Sequence, residues 1–525
     1  MRRLVVMLLA ALLLGAAAFS DAGEILAQGR AQAQKAGEGK RIAESGIVEG
    51  FYGRPWTEEE RCSMLHFLGE KGMNLYVYAP KDDPYHREKW REPYPPEELL
   101  ALKRLAKEAD AAGVQLVFAV SPGLDARFSR WAGEADYRAL LRKLESVHNL
   151  GIHRFAVFFD DIEKKDGKAQ ARLLNRLNRE LLTRGLADQP LLAVPTEYFL
   201  RDMVQGDAPK AYTRDMAAEL DSDIVVLFTG SEVVPEGVSA EDLAKAERLY
   251  HRSMGLWWNY PVTDYLPGKL ALGPVQGLDS AVAERVPVFL LNPMEKPRLS
   301  RIALATGAAW LKDPLAYDAE EAWRDAIREQ YGGLASDMEL FALHSRRMDK
   351  DWAHIGSPDA PLLQKEMENF WEKLATGADT KAEEKALARE FKRLERAAKH
   401  LEERLPPEVK EECLPQLHLL ASYAEAGEAA LSMFEARRKN QLGREAAYYR
   451  RLLDVPVEWQ DEKAPRLSEQ VLVSFIKKAR QWHEGWGQVD MQNAVLSSGK
   501  NDGATLDDIG RAAAAGANFR QSGGQ

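Results

Sequence analysis

The sequence predicts an α/β protein, a (β/α)8 TIM barrel over residues 46–317 followed by an α-helical bundle domain over 318–486. Three observations predict it. From Ile47 a short apolar strand followed by a longer amphipathic stretch recurs eight times, and alternating β and α elements imply a parallel sheet. Eight such units in about 270 residues fit a closed barrel better than an open doubly wound sheet. From about Asp318 the strand signals stop and long charged helical stretches take over. The phosphate-cradling patterns GxGxxG and GxxxxGK(S/T) are both missing, which weakens the open-sheet, nucleotide-binding alternative further.

Taken in order, the chain begins with Arg2 and Arg3 before an apolar or small run over 4–18 and the polar Ser20-Asp21. That layout predicts a signal peptide over 1–22 and an exported chain, secreted or periplasmic. A membrane anchor needs about 20 apolar residues, and no Cys follows the run to carry a lipid. Residues 23–45 read as a spacer rich in Ala, Gln and Gly. Strands are expected over 46–49, 74–78, 115–120, 154–159, 191–194, 223–228, 255–258 and 288–291, with helices between them such as 57–71, 96–112, 136–150 and 240–254. In the bundle, Phe391, Leu394, Ala398, Leu401 and Leu405 recur at spacings of three and four, an apolar seam on one helix face. Pro406-Pro407 ends that helix and another is expected over 414–438. Residues 487–525, rich in Gly, Ala and Asn, read as a poorly ordered tail.

Composition narrows the function. The 525 residues are 45% apolar and 29% charged, an ordinary globular balance, with a formal net charge of −10. An acidic chain is a poor fit to nucleic acid or an anionic membrane surface. No segment after the leader is long and apolar enough to span a membrane. Cys62 and Cys413 are the only cysteines, so no disulfide framework is expected. None of the ten histidines falls in an HxH or HxxxH spacing, and no metal or cofactor is expected.

In a barrel of this kind, chemistry gathers where strands run into the loops that follow them. The strongest such feature is Asp160-Asp161, directly after the apolar run Phe155-Ala-Val-Phe-Phe159. Two adjacent carboxylates at the rim of a buried sheet repel each other unless a substrate, cation or proton intervenes. Other strand ends carry Gly50-Phe-Tyr-Gly-Arg-Pro-Trp56, Lys81, Thr229, Trp257-Trp-Asn259, Asp264 and Asn292. Aromatic platforms beside Asp, Asn and Lys suit a sugar, which has apolar C–H faces and a rim of hydroxyls. Each residue also has a structural reading: Tyr52, Trp257 and Trp258 as core aromatics, Lys81 on the surface, Asn259 as a helix cap. Their coincidence at seven strand ends favours a site.

The segments Gly46–Trp56 (GIVEGFYGRPW), 78–84 (YAPKDDP), 159–162 (FDDI), 195–198 (PTEY), 258–264 (WNYPVTD) and 292–294 (NPM) resemble glycoside hydrolase family 84. That family comprises β-N-acetylglucosaminidases and O-GlcNAcases, some of them once labelled hyaluronidases. The resemblance implies a TIM barrel and a substrate, glycan or glycoprotein, with terminal β-N-acetylglucosamine. It implies that Asp160 orients the substrate's acetamide and that Asp161 is the general acid, then the base. Gly50, Lys81, Asn259, Asp264 and Asn292 would hold hydroxyls, while Tyr198, Thr229 and Trp257 shape the acetamide pocket and Val194 lines it. Adjacent aspartates fit poorly to the usual pair of carboxylates about 5–10 Å apart, but they fit substrate assistance, where the acetamide supplies the nucleophile. One aspartate must then stay charged while its neighbour carries a proton. The alternatives are an endo-acting hyaluronidase or chitinase-like hydrolase, a non-catalytic carbohydrate-binding protein, or a metal-dependent lyase. A chitinase would carry DxxDxDxE, which the chain lacks.

Overall fold

The computed structural model describes residues 42–485 apart from 43, 129 and 130. The expected leader, almost all of the spacer and the tail from 487 lie outside the described residues.

Eight parallel strands close into a barrel: β1 (Glu44–Glu49), β2 (Leu75–Tyr78), β3 (Gln115–Val120), β4 (Phe155–Phe158), β5 (Leu192–Val194), β6 (Val225–Phe228), β7 (Gly255–Pro261) and β8 (Val288–Asn292). Each pairs with its neighbours in sequence, and β1 pairs with β8 through Glu44↔Val288 to Ile47↔Leu291. These segments are dominated by Val, Leu, Ile and Phe because both faces of each strand are covered. Val48, Val77, Val117, Ala119, Phe158, Leu192, Leu227 and Leu290 fill the interior. Gly46 is required where β1 meets β2, since a Cβ there would meet the Leu75 carbonyl oxygen at 1.7 Å.

The main departure from the expected strands is β7, which continues three residues past 258. The register shifts between Leu291 and Asn292 of β8, where Asn259 and Tyr260 bulge from β7 and Asn292 pairs with Pro261. Asn259 therefore stands on a strand, at the barrel mouth, rather than capping a helix. Strands β4 and β6 are shorter than expected, beginning at Phe155 and Val225.

The helices around the barrel are α1 (Glu58–Glu70), α2 (Pro96–Ala112), α3 (Ala132–His148), α4 (Gly167–Thr183), α5 (Ala211–Glu219), α6 (Ala240–Tyr250), α7 (Ser280–Arg285) and α8 (Pro297–Lys312). Their starts follow from local chemistry. Thr57 with Glu60 and Ser239 with Asp242 form capping boxes for α1 and α6, and α2 opens on Pro96 and ends at Gly113 with φ +69°.

The described residues divide into two compact units, one running to 335 and taking in 345–357, the other formed by 336–344 and the chain from 358. The first unit includes α9 (Ala319–Tyr331), which the sequence pattern grouped with the bundle. Its buried Trp323 donates Nε1–H to the Leu272 carbonyl over 2.6 Å, which ties it to the barrel. The same unit holds a hairpin of β9 (Met348–Lys350) and β10 (Ala353–Ile355), anchored where Lys350 Nζ donates to the Tyr265 carbonyl over 2.8 Å.

In the second unit, α10 (Pro361–Ala375), α11 (Lys381–Arg404), α12 (Pro407–Arg438) and α13 (Leu442–Leu453) bury the seam read from the sequence, including Phe391, Leu394, Ala398 and Leu401. Helix α12 starts at Pro407 rather than 414, because proline at the first helical position loses no hydrogen bond. Gly427 on α12 receives the Phe391 ring, and a Cβ there would stand 2.6 Å from it. The ring is fully buried and packed on Phe475 at 5.5 Å, so it has nowhere to go. Gly427→Ala should destabilise this unit by about 1–3 kcal/mol through overpacking, against a helix-propensity gain of about 1 kcal/mol. Calorimetry should show a lower unfolding temperature; an unchanged or higher one would contradict this packing.

Candidate active site

Strand β4 delivers the aspartate pair. After Phe158 the chain stays extended through the buried Phe159, then Asp161 takes a left-handed backbone with φ +54°. That break in the strand's alternation gives the two carboxylates different surroundings. Asp160 is only 6% exposed and bonds Lys81 Nζ through Oδ2, while its Oδ1 is buried without a partner. Asp161 is exposed and accepts two phenol hydrogens, from Tyr198 to Oδ1 over 2.9 Å and from Tyr52 to Oδ2 over 2.8 Å. Burial first, and the Asp161 charge second, push both phenols up, so each remains a proton donor.

The floor is built from neighbouring strand ends. Trp257 Nε1–H and Asn292 Nδ2–H both donate to Asn259 Oδ1, over 2.8 and 2.9 Å, and Asn259 Nδ2 donates to the Val233 carbonyl over 2.8 Å. Gly50 lies against this floor because a Cβ there would meet the Trp257 ring at 2.5 Å. Lys81 sits 5.8 and 5.9 Å from the ring centres of Tyr52 and Trp257. Thr229 is buried, its hydroxyl donating to the Glu232 carbonyl over 2.7 Å and its amide to the Tyr198 carbonyl over 3.0 Å. Asp264 accepts the Tyr52 amide on Oδ2 over 2.9 Å, and burial pushes its carboxyl above the ordinary range.

All these residues line one cavity of about 360 Å³ at the barrel mouth: Gly50, Lys81, Asp160, Asp161, Val194, Tyr198, Thr229, Trp257, Asn259, Asp264 and Asn292. The sequence reading thus brought together one site and no outlier. It undervalued Tyr52, which lies 41% exposed with its hydroxyl on Asp161 rather than in the core. Trp258 is the core aromatic of its pair, fully buried, as the two-residue period of a strand requires when Trp257 faces the cavity. It missed Trp352, Tyr265, Val233 and Val234, which also line the cavity, and Arg87, which bonds Tyr52. Trp352 sits in the β9–β10 turn, where no barrel strand end announced it.

A family model described as beta-N-acetylglucosaminidase matches residues 45–344, more than half of the chain. The chain belongs to the beta-N-acetylglucosaminidase family. A second model, described as hyaluronidase post-catalytic domain-like, matches residues 362–476. The Protein O-GlcNAcases of Rattus norvegicus and Mus musculus are each 31% identical over 336 residues, which is 61% of this chain and 36% of theirs. The chain thus spans about a third of the length of these curated relatives. Among solved structures, CpGH84B has a TM-score of 0.78 at 38% identity, covering 83% of this chain and 77% of its own. A mutant of the Thermobaculum terrenum O-GlcNAc hydrolase has a TM-score of 0.77 at 25% identity, covering 87% and 97%.

In this member of the family the Lys81–Asp160 pair is a buried ion pair, so removing one partner strands the other. Lys81→Met should cost about 3 kcal/mol of folding stability. Adding Asp160→Asn, which removes the stranded charge, should restore much of it. Urea unfolding of the two variants checks this, and a double variant no more stable than the single would refute the pairing as the cause.

Proposed function

We propose that the chain is a retaining β-N-acetylglucosaminidase that removes terminal β-linked N-acetylglucosamine from glycans or O-GlcNAc glycoproteins, the substrate's acetamide serving as nucleophile. One observation carries the reading: two adjacent aspartates held in unlike surroundings. Asp160 offers a buried, unpartnered Oδ1, and a buried acceptor of that kind calls for a donor. The acetamide N–H supplies it. The acetamide oxygen then attacks the anomeric carbon as the glycosidic bond breaks, and Asp161 gives its proton to the leaving oxygen. Water, deprotonated by Asp161, opens the resulting oxazolinium ion, whose N–H stays hydrogen-bonded to Asp160, and so returns the proton to the acid, with net retention. Lys81 balances the charge on Asp160, and the two phenols donate to the Asp161 anion that the first proton transfer creates and the second consumes.

The cavity stands at the small end of ligand pockets, which suits a single terminal sugar. Among the described residues, no helix is long and apolar enough to cross a membrane. Residues 1–22 support export, so the substrate would be met outside the cytoplasm.

Asp161→Asn should slow release of an aryl group from its β-N-acetylglucosaminide by about 10²–10⁴-fold, least for the best leaving groups. Successive fluorination of the N-acetyl group should progressively slow the wild type; a rate indifferent to it overturns the acetamide mechanism, and a rate abolished by EDTA would favour a metal-dependent lyase.

Asp264 adds a pH signature. Its carboxyl is raised by burial, so on acidification it takes a proton at a higher pH than an exposed aspartate does, and loses an acceptor for sugar hydroxyls. Affinity of the Asp161→Asn variant for an uncharged N-acetylglucosamine analogue should fall on acidification, with an onset above the ordinary carboxylate range. Adding Asp264→Asn should shift that onset to lower pH, as calorimetric titration would show.

A further inference from the structure

Arg87 belongs to the turns that follow β2, and the sequence gives no reason to single it out. Its side chain is 8% exposed and makes two contacts that converge on Asp161. Nη1 donates to the Tyr52 hydroxyl over 2.5 Å, and Nη2 donates to the backbone carbonyl of Asp161 over 3.2 Å. A guanidinium can only donate. It therefore occupies a lone pair of the phenol and leaves Tyr52 its single hydrogen to point at Asp161 Oδ2, 2.8 Å away. The main chain of Tyr52 is itself fixed, because its amide donates to Asp264 Oδ2 over 2.9 Å.

Asp161 needs such support. It is a non-glycine residue at φ +54°, a strained conformation that persists only where its surroundings hold it. Its side chain is exposed, so packing does not fix the carboxylate. Arg87 bears on both parts, holding the backbone carbonyl directly and the carboxylate through Tyr52. We propose that Arg87, acting through Tyr52, is a positioning residue for the acid Asp161. It holds the proton-donating carboxyl in place and favours the anion left after proton transfer. The inference rests on the function proposed above and assigns a role to a residue that does not line the cavity.

Support of this kind matters most when proton transfer to the leaving group is far advanced. Arg87→Met should lower kcat/KM about tenfold for aryl β-N-acetylglucosaminides with poor leaving groups and about twofold for strongly activated ones. Tyr52→Phe, at a half-exposed position that tolerates the change, should give the same pattern. The double variant should be no worse than Arg87→Met alone, because that change already breaks both the chain through Tyr52 and the direct contact to the Asp161 carbonyl. Arg87→Lys should recover part of the loss, since one ammonium can meet the Tyr52 hydroxyl but cannot form the fork.

The reference is Asp161→Ala, which must steepen the dependence on leaving group. If the wild type cleaves none of these substrates, or Asp161→Ala shows no such steepening, the proposed function itself fails. If the reference behaves and both Arg87→Met and Tyr52→Phe slow good and poor leaving groups equally, or not at all, the positioning role is overturned. A uniform loss is what a merely structural arginine would give.

Discussion

The parallel pairing of β1 with β8 is the constraint on which everything else depends. It closes the sheet, so that eight separate strand ends, from Glu49 to Asn292, face one mouth. Closure is sterically exacting. It needs the bare backbone of Gly46 against Leu75 where β1 meets β2, and it needs β7 to bulge at Asn259 and Tyr260 so that Asn292 can face Pro261. With the sheet closed, residues from Gly50 to Asn292, far apart in the chain, share a single cavity.

Within that mouth, electrostatics separates two neighbours that share a strand end. A straight strand would send Asp160 and Asp161 to opposite faces. The left-handed turn at Asp161 instead brings its carboxylate to the phenols of Tyr52 and Tyr198, while Asp160 stays in the buried layer with Lys81. One carboxylate therefore has a cation and an unused oxygen, and the other has two neutral donors. A pair of identical side chains acquires two different surroundings through a single backbone angle.

The barrel was legible because its strands are apolar on both faces and end in residues that a core has no use for. Asp160, Lys81, Asn259 and Asn292 declared themselves by type and position. Tyr52 and Trp257 did not, since an aromatic at a strand end serves a core and a cavity equally well; only the alternation along β7 separates Trp257 from the buried Trp258. Arg87 was invisible because an arginine in a polar turn looks like any solvated charge. The extent of the first unit was hard to place for a related reason. The amphipathic pattern of α9 resembles that of a bundle helix, and only the burial of Trp323 against Leu272 shows where it belongs.

Trp352 stands apart from the rest of the cavity wall. The floor is welded into the barrel, where Gly50, Trp257, Asn259 and Asn292 constrain one another and few substitutions fit. Trp352 is 45% exposed, lies tilted against Tyr265 with ring centres 5.3 Å apart, and hangs from a short hairpin whose loss would leave the barrel's pairing intact. The pocket is thus encoded in two stretches under unequal structural constraint. Its depth is inherited with the scaffold, while one side of its entrance can be retuned by a few residues without reopening the problem of how to fold.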